Sequence, residues 1–101
     1  MSHWAYNYLS HLINQIYKIL PMAEEHNPNI YTYISSLIRE VLGSSELLSE
    51  LDYDGTLLRV LSILEYWSFN TEPIVILRKD IFKAISLCKT MQTNLAGDTD
   101  G

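Results

Sequence analysis

Apolar side chains recur at three- and four-residue intervals along most of this chain, the period of one buried helix face. That spacing constrains the fold more than any other feature of the sequence. On a helix turning about 100° per residue, Ala5, Tyr6, Leu9, Leu12, Ile13, Ile16, Tyr17, Ile19 and Leu20 fall in an arc roughly 160° wide. Asn7, Ser10, His11, Asn14, Gln15 and Lys18 fill the other side. Ser2 suits the N-cap. Pro21 is expected to end the helix, because it lacks a backbone donor and disfavours helical backbone at Leu20.

The same period continues downstream. Asn27-Pro28 reads as cap and first helical position of a second helix. That helix carries Ile30, Tyr33, Ile34, Leu37, Ile38, Val41 and Leu42 on one side, and Gly43 is placed to terminate it. A serine-capped short helix is expected over 44–51, followed by a turn at Asp52-Tyr53-Asp54-Gly55. Thr56 is expected to cap a fourth helix running to about Ser68 with Leu57, Val60, Leu61, Ile63, Leu64 and Trp67 inward. Pro73 opens a fifth helix, to about residue 93, with Ile74, Leu77, Ile81, Ile85 and Cys88 on one stripe and Val75, Ile76, Phe82 and Leu87 off it. A helix apolar on more than one side is either central or covered by a partner. The Ile74-Val75-Ile76 run has β-branched character, but no other segment offers it a strand to pair with. The fold class expected is all-α: four main helices plus one short helix, packed as antiparallel hairpins.

A chain of 101 residues suits one domain. Residues 1–94 are read as that domain and 95–101 as a flexible acidic tail or linker, which would make the chain part of a larger intracellular assembly. No apolar run is long enough to span a bilayer, and the N-terminus has no basic leader before an apolar block. The single Cys88 excludes an internal disulfide and suits a reducing compartment, so the expected location is intracellular, cytoplasmic or nuclear. Seven Lys and Arg against twelve Asp and Glu give a net charge of −5, which disfavours nucleic acid as a partner.

The stretch Leu47-Leu48-Ser49-Glu50-Leu51, then Gly55, then Leu57-Leu58-Arg59-Val60-Leu61-Ser62-Ile63-Leu64, resembles an armadillo or HEAT-type helical repeat unit. The resemblance implies a helical scaffold that offers a surface to a peptide or domain, and no chemistry.

Residue chemistry points the same way. Glu24-Glu25-His26 is the compact cluster of metal-ligand types, but it lies in an expected loop with no further ligand at helical spacing. His3 and His11 are out of line on a helix. Cys88 falls on an inward stripe, where a thiol is structural, and the serines fall at caps and polar faces. Asp52 and Asp54 suit a turn better than acid–base work, and no glycine-rich phosphate loop exists. The reading is therefore non-catalytic, with no cofactor, no metal, no small-molecule substrate and no membrane partner.

Two features remain. Trp4, Tyr8, His11 and Gln15 share the side of helix one opposite its apolar arc, where large aromatics suit an interface or an internal contact. Glu46, Glu50, Asp52 and Asp54 are segregated from Arg78, Lys79, Lys83 and Lys89, which share an arc of roughly 140° on the last helix with Val75 and Phe82 inside it. An aromatic ringed by cations suits an acidic, amphipathic partner. Tyr53 and Tyr66 add to the aromatics expected outside the core. The residues expected to meet a protein partner or a second copy are thus Trp4, Tyr8, His11, Arg78, Lys79, Phe82, Lys83 and Lys89. The rival is nucleic-acid binding through the basic face of the last helix.

Overall fold

Five helical segments run in the order α1 (His3–Tyr17), α2 (Ile19–Glu24), α3 (Ile30–Ser49), α4 (Thr56–Trp67) and α5 (Ile74–Asp100). The computed structural model describes residues 3–49 and 55–100, with side chains over 4–44 and 55–95. No strand occurs among the described residues. The fold is all-α, as the periodicity requires.

Specific side-chain pairs fix the directions of the helices. Tyr33 of α3 meets Gln15 and Glu40 meets Tyr8, so α1 and α3 run antiparallel. Gln92 reaches Tyr6 and Ser10, Phe82 meets Tyr17, and Arg78 meets Glu24, so α5 runs antiparallel to α1 and α2. Trp67 at the end of α4 bonds Asp80 near the start of α5, which closes an antiparallel hairpin. With α3 also packed on α4, the four long helices form an elongated bundle of 45 × 23 × 20 Å. Its centre is filled by one residue set from each of the four long helices: Leu9, Leu12 and Ile16; Ile34 and Val41; Val60, Leu64 and Trp67; Leu77, Ile81 and Cys88, all buried.

The short helix sits elsewhere than expected. Residues 44–49 continue α3 without a break, because Gly43 does not take the left-handed conformation that would terminate it. A mid-helix glycine costs only about 1 kcal/mol relative to alanine. The helical backbone continues past it to Ser49. The short element is instead α2, and Pro21 lies inside it rather than at its end. A proline ring clashes with the carbonyl four residues back, here Tyr17, and cannot bond to it. The helix therefore breaks at Lys18, and Pro21 falls in the first turn of α2, where its missing N–H is no loss.

Other boundaries are set by local chemistry. Gly55, not Thr56, holds the N-cap of α4, with a left-handed φ of 76° that favours glycine, and Thr56 is buried as the first helical residue. The side chain of Asn27 accepts from the Asn29 N–H at 2.9 Å and its carbonyl accepts from Ile30 N–H at 3.1 Å, which starts α3. The α5 backbone remains helical over 95–100, where a tail was expected, and Leu95 is buried. Ser2, Glu50, Asp52, Tyr53 and Asp54 lie outside the described residues, as does the side chain of Glu46.

Candidate interaction surface

The edge of α1 singled out by sequence is largely used inside the chain. Tyr8 is half-buried against the core, its hydroxyl 3.3 Å from Glu40 Oε2. His11 Nε2 lies 3.5 Å from the same oxygen. The Tyr33 hydroxyl stands 2.6 Å from the Gln15 carbonyl and 3.0 Å from its Oε1. Gln15 is in the last turn of α1, where carbonyls lack helical partners, so Tyr33 closes that end. Burial raises the Tyr8 and Tyr33 hydroxyl pKa values; at Tyr8 the Ser44 side chain opposes that and Glu40 adds to it. Trp4 stays exposed, and no hydrogen bond joins its side chain to a described residue.

The basic arc of α5 is divided between two neighbours. Arg78 Nη2 pairs with Glu24 Oε2 at 3.0 Å, and Phe82 packs edge-on against Tyr17 with ring centres 6.1 Å apart, both toward α1 and α2. Lys83 turns to the opposite flank, where it lines an open depression with Leu58, Arg59, Ser62 and Ile63 of α4. Lys79 stands on the ridge between the flanks, and Lys89 lies further along, exposed. Lys79, Lys83, Lys89 and Arg59 form no ion pair with a described residue.

Exposed apolar side chains occur on α4, on the connection that follows it and on the first turn of α5. Leu58 is 66% exposed, Tyr66 69%, Phe69 84% and Ile76 49%, while Val75, 70% exposed, lies two turns before Phe82 on the other flank of α5. Their placement follows from helical spacing. Tyr66 is one turn beyond Ser62 and Ile63, and Ile76 is two turns before Lys83. Because Trp67 is paired with Asp80 across an antiparallel hairpin, Tyr66 lies level with Ile81, and Ile63 level with Ala84, beside Lys83. Along α4 and α5, Leu58 thus stands at one end, Ile63 and Lys83 near the middle with Tyr66 one turn on, and Ile76 near the connection that carries Phe69. Sequence periodicity placed Leu58 on a generally apolar helix without marking it as exposed. The signal that could have found it is that Leu58 lies outside the arc of Leu57, Val60, Leu61, Leu64 and Trp67.

Cys88 is fully buried and its thiol is pushed up to about 12 by that burial, so it is held neutral. No group of three or more metal-ligand side chains converges among the described residues. His26 and Glu72 line a small hollow at the bundle end where the α2–α3 and α4–α5 connections meet, but both are exposed. No helix among the described residues is long and apolar enough to cross a membrane. No protein-family model matches the chain, and no curated protein or solved structure does either.

Proposed function

We propose that this chain is a non-catalytic protein-interaction module of a reducing intracellular compartment, and that it receives its partner on the outer face of α4 and α5. The observation that carries this reading is the set of Leu58, Tyr66, Phe69 and Ile76 left in water on α4, the connection after it and the first turn of α5. The interior does not need them: every long helix already contributes a closed set of buried side chains. Contiguous exposed apolar surface with a polar rim is the usual mark of an interaction site. The armadillo- and HEAT-like stretch implies the same role. Trp4 and the Phe82–Tyr17 pair offer a second, smaller contact on the α1 flank. Nucleic acid is a weaker reading, since Arg78 is already paired and the chain carries a net charge of −5.

Display panning with random helical peptides of about 15 residues tests the assignment. The doubly substituted Leu58→Glu, Ile76→Glu protein serves as the counter-target. Peptides that bind the parent and not the variant support it. No enrichment, or binders indifferent to both substitutions, would remove this face from the proposal.

A further inference from the structure

Resting on that reading, we infer that the occupant of the α4–α5 groove is an acidic amphipathic helix of about 12 to 14 residues. Its apolar stripe would cover Leu58, Ile63, Tyr66 and Ile76, and its carboxylates would meet Arg59, Lys79 and Lys83. The shape argues for a helix. Two antiparallel helices form a straight groove, and α4 has 12 residues, so the groove is about 18 Å long at 1.5 Å per residue. Apolar side chains occur along it from Leu58 to Ile76, which matches the stripe of a helix and not the alternation of a strand.

The charge argues for acidity. The chain is acidic overall, yet the cations on this face, Arg59, Lys79 and Lys83, have no described counter-ion. Among the described acids, Asp80 of α5 is occupied by the Trp67 indole. Glu65, exposed two turns beyond Leu58 on α4, and Glu72, in the connection to α5, are acids at the margins. Long basic side chains lay their methylene stems along apolar surface and hold the charge at its rim, where a partner's carboxylates arrive. A second copy docking through this face would bring another Arg59, Lys79 and Lys83 against the first set. Like charges across an interface disfavour the pairing.

The test uses three synthetic helices of about 14 residues that share one leucine stripe and differ only in flanking residues: glutamate, glutamine or lysine. Fluorescence anisotropy against the whole chain should rank them glutamate, glutamine, lysine, with about tenfold or more between the extremes and a spread that narrows as salt rises. Lys79→Glu with Lys83→Glu should reverse the order, while circular dichroism stays unchanged. Equal binding of all three peptides overturns the acidic partner and leaves the groove reading intact. Binding of none, even at low salt, overturns both. Binding to anionic phosphatidylserine vesicles with no peptide binding would assign the face to a membrane surface instead. Concentration-dependent dimerisation abolished by Ile76→Glu would assign it to a second copy.

Discussion

The indole N–H of Trp67 donates to Asp80 Oδ2 at 2.8 Å, across the turn that joins α4 to α5. Trp67 is buried at the end of α4, so its one polar atom must find an acceptor. Asp80, half-buried one turn and a half into α5, supplies it and fixes the register of the hairpin. Removing the acceptor leaves a buried donor unsatisfied. Asp80→Ala should therefore cost about 1–3 kcal/mol, read as a lower urea midpoint with an unchanged slope. Asp80→Asn keeps an acceptor oxygen and should cost less. A midpoint unaffected by the alanine would mean that the bond contributes nothing to the register.

His26 takes a left-handed backbone, φ 54°, immediately after α2. Its N–H bonds the Ala23 carbonyl at 3.1 Å, and the Asn27 N–H bonds the Met22 carbonyl at 2.9 Å, the two-bond termination that glycine usually occupies. A side chain in that region costs about 1–2 kcal/mol. Glycine there loses the strain but also gains unfolded-state freedom, so His26→Gly should stabilise the protein by about 0.5–1 kcal/mol. His26→Ala, which keeps the strain, should give no gain. Thermal unfolding of the two variants side by side separates these outcomes.

The periodicity of single segments carried most of the architecture, and the misses share one cause. Punctuating residues act at a distance that local reading assigns to the wrong place. Pro21 breaks the helix at Lys18 because its ring conflicts with the carbonyl of Tyr17, four residues earlier. Gly43 permits a left-handed turn but does not impose one, and the helical backbone continues past it. The face proposed for a partner was harder to see. Phe82 and Arg78 belong to the same arc of α5 as Lys79 and Lys83, yet neighbouring Tyr17 and Glu24 engage them. Which side of an arc is already covered depends on the tertiary neighbours, and no helical wheel contains them.

Alkaline pH should unfold this protein earlier than its composition alone suggests. Burial raises the Cys88 thiol from 9.0 to about 12, and raises Tyr8 and Tyr33 above 10.0. A group raised in the folded state favours folding fully below its unfolded pKa. Above that value the unfolded chain releases its proton first, and the contribution is lost as pH climbs towards the folded pKa. For Cys88 the loss begins near pH 9 and runs to about 12. While only the unfolded thiol is ionised, each pH unit costs up to about 1.4 kcal/mol. Urea midpoints should be level between pH 7 and 8.5 and fall beyond about 9. Cys88→Ala, although destabilised by its small cavity, should show a shallower decline. An equally steep decline in that variant would assign the effect to the tyrosines alone.

A face kept for folding and a face kept for binding differ in what their loss does to stability. Val60 and Leu64 of α4 are buried, and truncating either to alanine removes core contacts, at a cost of about 2–4 kcal/mol for the leucine. Leu58, on the same helix, spends most of its surface in water, and Ile76 faces the same groove from α5. Leu58→Gln and Ile76→Gln should each shift stability by no more than about 0.5 kcal/mol, because little buried area is lost. They should also raise solubility at high concentration, since exposed apolar surface promotes association. Chemical denaturation and a solubility series on the two single variants measure both effects. A loss of 2 kcal/mol or more from either substitution, on the order of a core truncation, would show that the side chain serves the fold and would withdraw it from the interaction surface.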